Sequence, residues 1–187
     1  LPGYGESGTV DQIMSMRRFA DTVVELLDDL EIARATVVGL SMGGLVAMEL
    51  GLGYPERVAG LVLAATTAAP PTEEDVERRR RAAAEIDAHG MLGHTADMLP
   101  RLFGPAASRD PELTVPIVET MLRTNPLGAA AALRGRAERP DYERLLTRAM
   151  ELSRDLPKPP RPNMAGAVLL KLGWAREKAG NRDGAEK

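Results

Sequence analysis

Apolar residues recur at helical spacing early in the chain: Met16, Phe19, Ala20, Val23, Leu26, Leu27 and Leu30. With Ser15 placed as an N-cap and Asp28, Asp29 and Glu31 closing the run, they predict an amphipathic helix with that face buried. The period then changes. Ala35-Thr36-Val37-Val38-Gly39-Leu40 is short, β-branched and almost wholly apolar, the pattern of a strand covered on both faces in a parallel sheet. Ser41-Met42-Gly43-Gly44 predicts a turn, and Leu45 to Leu52 a helix closed near Gly53. After the connector Tyr54-Pro55-Glu56-Arg57, Val58 to Ala65 predicts a second buried strand. Strand, helix and strand in that order make the crossover unit of a parallel sheet, so the fold class is α/β.

Outside this unit the pattern is different. Leu1 to Val10 carries Gly3, Gly5 and Gly8 among polar neighbours and reads as loop. Beyond Thr67 only helical periodicity recurs, over residues 73–89, 94–103, 111–124, 127–135 and 140–150, punctuated by Pro100, Pro105, Pro111, Pro126 and Pro140. Thr72 followed three residues later by Asp75 resembles a capping box. The basic run Arg78-Arg79-Arg80-Arg81 could suggest a phosphate site. Acid-before-base spacing at Glu74–Arg78, Asp75–Arg79 and Glu77–Arg81 instead predicts a solvated helix face. The proline-rich stretch Asp155 to Pro162 reads as a linker and Met164 to Lys187 as a helical tail. The expected organisation is therefore a partial core over 1–69, a helical region over 70–150, a linker over 151–163 and a tail over 164–187.

Composition narrows the chemistry. Aromatic residues make up only 3% of the chain against 44% hydrophobic, so the core must be aliphatic. The absence of cysteine removes disulfides and thiolate chemistry, and two histidines leave little for a metal centre, so no metal or cofactor is expected. A net charge of -3 offers no field for nucleic acid or an acidic membrane, and no apolar run approaches a membrane span. A cytoplasmic protein is expected. Leu1 in place of a starting Met, and a last stretch without a stop signal, predict that both ends are cut.

The candidate chemistry lies at Gly39-Leu40-Ser41-Met42-Gly43, where the first strand gives way to a helix. A Gly-x-Ser-x-Gly sequence there is the setting of a nucleophile elbow, with a serine on a strained turn at the strand's carboxyl end. Ser41 would be the nucleophile and the Met42 N–H an oxyanion donor, while Gly39, Gly43 and Gly44 leave room for close backbone approach. The competing reading is an ordinary strand-to-helix turn whose serine caps the helix. A nucleotide-binding loop is excluded, since neither glycine-rich phosphate pattern is present.

Residues 1 to about 148 resemble the middle of an α/β-hydrolase-fold protein of the esterase, lactonase and cofactor-free haloperoxidase kind. The resemblance is carried by Pro2-Gly3-Tyr4-Gly5-Glu6-Ser7, by Gly39-Leu40-Ser41-Met42-Gly43-Gly44, and by Tyr54-Pro55-Glu56-Arg57-Val58 with Leu61-Val62-Leu63. It implies a serine hydrolase acting on a small acyl substrate, an ester or lactone, with the later helices forming a cap. It also implies a triad in the order serine, acid, histidine. That order breaks here, because no histidine follows His94. His89 and His94 fall in the cap region, and Asp141, Asp155 and Asp183 are acids by type only. With two strands, the sheet is expected to have exposed edges and to be incomplete or completed by another chain. Ala179 to Glu186 resembles the inter-helix turn of a tetratricopeptide repeat, although Trp174 does not match that family's aromatic positions. The alternative function is accordingly a non-catalytic fragment or fusion whose tail, or exposed sheet edge, binds a protein partner.

Overall fold

The structure is a computed structural model, and it describes residues 1–8 and 13–153. The linker and tail expected from the sequence, with Asp155 and Asp183, lie outside the described residues. Two compact units are present: Leu1–Thr22 with Pro71–Arg139, and Val23–Pro70 with the described residues from Pro140.

The second unit holds the sheet. Helix α1 (Met16–Asp29) contributes its last residues, followed by β1 (Ala35–Leu40), α2 (Met42–Gly53), β2 (Val58–Ala64) and α7 (Tyr142–Ser153). β1 and β2 pair in parallel with Val37 opposite Leu61 and Leu40 opposite Ala64. The crossover helix α2 is apolar around most of its circumference because it is enclosed: Leu45, Val46, Ala47, Met48 and Leu50 are all buried. Tyr142 is fully buried, and its hydroxyl donates to Glu49 Oε1 at 2.7 Å, fixing α7 to α2. Arg57 closes the bottom of the unit. Its guanidinium reaches the Ala33 and Ile32 carbonyls at 2.9 and 3.0 Å and Asp28 Oδ1 at 2.6 Å.

The strands were expected to be covered on both faces, and they are not. Among the described residues Val38 is 70%, Leu40 67% and Val62 50% exposed, on the face away from α2. Period-2 geometry puts Thr36, Val38 and Leu40 on one side and Val37 and Gly39 on the other, and only the latter side is packed. The apolar run encodes two covered faces, and α2 supplies one.

The first unit is helical. Ser15 Oγ accepts from Arg18 N–H at 3.1 Å, as expected of the N-cap of α1. The buried side of α1 is narrower than its apolar periodicity, with Met16, Phe19, Ala20 and Leu27 buried and Leu26 and Leu30 exposed. α3 (Glu73–His89), α4 (Met91–Leu102), α5 (Pro111–Arg123) and α6 (Pro126–Ala137) follow, with α3 packed along α6. Thr72 Oγ1 accepts from Asp75 N–H, the forward half of the capping box, whereas the Asp75 carboxylate turns to Arg78. Pro111 and Pro126 begin helices, where a missing N–H is harmless. Pro100 and Pro116 instead lie inside α4 and α5, so Pro100 does not mark a break. α6 is rich in alanine because it is buried over most of its surface: Ala129, Ala130, Ala131 and Ala132 are enclosed, and the Ala131 carbonyl accepts from Met14 N–H at 3.1 Å.

Candidate functional site

The turn after β1 has an unusual backbone. Ser41 adopts φ 51° and ψ -112°, a combination open to glycine at the first central position of a type II′ turn and strained for a side-chain-bearing residue. Two hydrogen bonds hold it there. Ser41 N–H donates to the Ala64 carbonyl at the end of β2 (2.9 Å), and the Ser41 carbonyl accepts from Gly44 N–H (3.0 Å). Ala65, the residue after Ala64, also has a positive φ of 44°. Both strands therefore end in strained residues side by side.

Glycine is required at two places in this turn. A Cβ on Gly39 would overlap the Gly43 carbonyl and stand 2.7 Å from the Gly44 Cα, and one on Gly44 would stand 2.7 Å from Thr66 Cβ. Gly43 differs from the sequence expectation: a Cβ there meets nothing within 4 Å, so the turn needs its backbone but not its missing side chain. Ser41 itself is exposed. Its hydroxyl makes no cap hydrogen bond to α2, and its φ lies outside the extended region that helix N-caps occupy. Met42 is the first residue of α2, so its N–H is one of those that have no partner within the helix.

Asp141 Oδ1 accepts from Arg144 N–H at 3.1 Å and so caps α7. His89 is the last residue of α3, exposed, with Nδ1 at 3.1 Å from Glu85 Oε2. His94 lies on α4, where burial holds its pKa below the ordinary value despite Asp97 nearby. Both histidines belong to the first unit, whereas Ser41 belongs to the second. Among the described residues no cluster of three histidines or acids could hold a metal, and no helix is long and apolar enough to cross a membrane. Sequence reasoning missed Tyr142, whose burial follows from its place at the start of α7 above Glu49.

Residues 1–182 match the alpha/beta hydrolase family, and the chain belongs to that family. The match runs through residues 164–182, which the sequence had set apart as an unrelated tail, and lends the tetratricopeptide reading no support. The chain is 30% identical over 115 residues to a poly(3-hydroxyalkanoate) depolymerase of Ectopseudomonas oleovorans, covering 62% of this chain and 41% of that protein. A thermophilic esterase from Thermogutta terrifontis, solved with malate bound, superposes with a TM-score of 0.73 at 38% identity, over 75% of this chain and 53% of that one. The enol-lactonase from Burkholderia xenovorans LB400 superposes with a TM-score of 0.70 at 27% identity, over 78% of this chain and 55% of that one. The chain thus spans about half the length of these solved structures.

Proposed function

We propose that this chain carries the nucleophile and oxyanion portion of a serine hydrolase that cleaves a small ester or lactone, with Ser41 as nucleophile. The observation that supports the reading is the conformation of Ser41: strained, exposed and without a cap hydrogen bond. A serine placed only to start a helix relaxes into the extended region and bonds the helix N–H groups. A serine presented for chemistry keeps its hydroxyl free and bears the strain.

In the proposed step Ser41 Oγ attacks the acyl carbonyl, forming a C–O bond while the hydroxyl proton passes to a base. The oxyanion is held by the Met42 N–H at the amino end of α2, where helix dipole and unpaired N–H groups favour negative charge. Collapse of the intermediate breaks the bond to the leaving oxygen, which takes up that proton and departs as the alcohol, and water then cleaves the acyl-serine bond to release the acid and restore Ser41. The esterase and enol-lactonase likenesses support acyclic and cyclic esters as the substrate class. Serine without an adjacent base is a weak nucleophile, and the unit that contains Ser41 holds neither histidine among its described residues. Slow turnover is therefore expected of the 187-residue chain. Hydrolysis of p-nitrophenyl butyrate and of a γ-lactone, wild type against Ser41→Ala, tests the proposal. Measurable hydrolysis lost in Ser41→Ala supports it, and hydrolysis equal in the two proteins refutes it.

A further inference from the structure

The first unit contains a cavity of about 330 Å³ between α3, α4 and the end of α6, and its charges are unbalanced. Arg78 pairs with Asp75 and Arg81 lies 3.7 Å from Glu77, so these two have partners on their own helix. Among the described residues Arg79 and Arg136 form no ion pair, although the Asp75 charge acts on Arg79. Arg79 Nη1 and Arg136 Nε are buried and have no hydrogen-bond partner among the described residues. Arg79 and Arg136 are among the residues lining the cavity, together with Arg101 and His94. Their placement follows from helix phase. Arg79 shares a face of α3 with Ala83 and Ile86, four and seven residues on, and both of these are buried. Arg136 likewise shares a face of α6 with buried Ala132 and Ala129. The inward arginines therefore sit on the apolar stripes by which α3 and α6 pack, not on the solvated face that the acid–base spacing suggested.

Such an arrangement is costly on its own. A buried donor without a partner loses its hydration for no return, and like charges brought together repel. The depressed pKa of Arg136 has those same causes: burial first, then the neighbouring charge of Arg79. Glu85 and Asp97 also line the cavity, yet neither bonds Arg79 or Arg136. The rest of the wall includes Ala82, Met98 and Leu133, which offer aliphatic surface. A volume of this size is at the lower end of what small-molecule sites need.

From this geometry we infer that the cavity is a binding site for a small organic carboxylate, its anionic end held by Arg79 and Arg136 and its aliphatic body lying against Met98 and Leu133. Guanidinium groups meet carboxylates through charge-assisted, paired hydrogen bonds, and a bound anion would balance the excess positive charge of the lining. The site lies wholly within one unit and does not depend on Ser41.

The test is a titration of the 187-residue chain with sodium hexanoate, followed by calorimetry and by the NMR signals of the arginine Nε–H groups. Inorganic phosphate and hexylammonium are run in parallel. Hexanoate is expected to bind and to shift the Arg136 Nε–H signal. Arg79→Gln and Arg136→Gln should each weaken it about tenfold or more, while Arg80→Gln, exposed on the same helix, leaves it unchanged. Without ligand both glutamine variants should melt no lower than wild type, since each relieves the mutual repulsion of Arg79 and Arg136. The inference is overturned if hexanoate does not bind, if hexylammonium binds equally, or if binding survives both substitutions. Phosphate binding as tightly as hexanoate would overturn the assignment of an aliphatic body. Loss of folding in Arg136→Gln leaves Arg79→Gln, on the partly exposed side of the cavity, to decide.

Discussion

Replacing Ser41 by glycine and by alanine separates an elbow from a helix cap, because the two roles predict opposite stability changes. In the elbow, φ 51° and ψ -112° strain any residue with a Cβ, by about 1–3 kcal/mol. Glycine removes that strain but loses about 0.5–1 kcal/mol through the greater freedom of its unfolded chain. Ser41→Gly should therefore be more stable than wild type by up to roughly 2.5 kcal/mol. Ser41→Ala keeps the Cβ and breaks no hydrogen bond, so it should match wild type within about 0.5 kcal/mol. Were Ser41 an N-cap, alanine would cost about 1 kcal/mol and glycine a few tenths. Urea unfolding followed by circular dichroism reads the difference, with a midpoint rise of about 0.5 M expected for Ser41→Gly. A Ser41→Ala variant less stable than wild type by about 1 kcal/mol, with no gain in Ser41→Gly, refutes the reasoning.

Three further outcomes follow from the same geometry. Gly39→Ala drives a Cβ into the Gly43 backbone and should cost about 1–3 kcal/mol, whereas Gly43→Ala, open on that side, should be neutral or stabilising by up to about 1 kcal/mol; unfolding midpoints compare them. Arg57→Ala removes the bonds to Ala33, Ile32 and Asp28 and should cost about 1–3 kcal/mol, read by the same unfolding assay. His94 should titrate below its ordinary value of about 6.5 in an NMR pH series. Burial disfavours its imidazolium, with Arg136 and Arg101 adding to the effect and Asp97 opposing it. The unfolded chain then binds the proton more readily, so the His94 contribution to stability falls as pH drops below about 6.5 and levels off below the folded pKa. An unshifted or raised His94 titration contradicts this account.

What the sequence revealed depended on whether the signal was local. β1, α3 and the start of α1 were legible because periodicity, caps and turns act within a few residues: Thr72 capped α3 where expected, and Ala35 to Leu40 formed the strand. The break between β1 and the turn at Ser41 was legible for the same reason, and a Cβ at Gly39 or Gly44 would meet neighbouring atoms. Gly43 misled because a glycine in a motif does not reveal whether its Cβ would meet anything. The exposed faces of Val38, Leu40 and Val62 were not legible, since an apolar strand declares what it can bury and not what is there to cover it. Arg79 is the instructive miss. Ion-pair spacing along α3 held at Glu77–Arg81, and the Asp75 charge acts on Arg79, but four- and seven-residue offsets from buried Ala83 and Ile86 also turn Arg79 toward the packed side.

The central claim is that Ser41 is presented as a nucleophile, and a fluorophosphonate probe tests it most directly. Intact mass and peptide mapping after incubation should show one adduct, on Ser41, formed slowly and absent from Ser41→Ala. An unlabelled wild type, or an adduct on another residue that persists in Ser41→Ala, would contradict it.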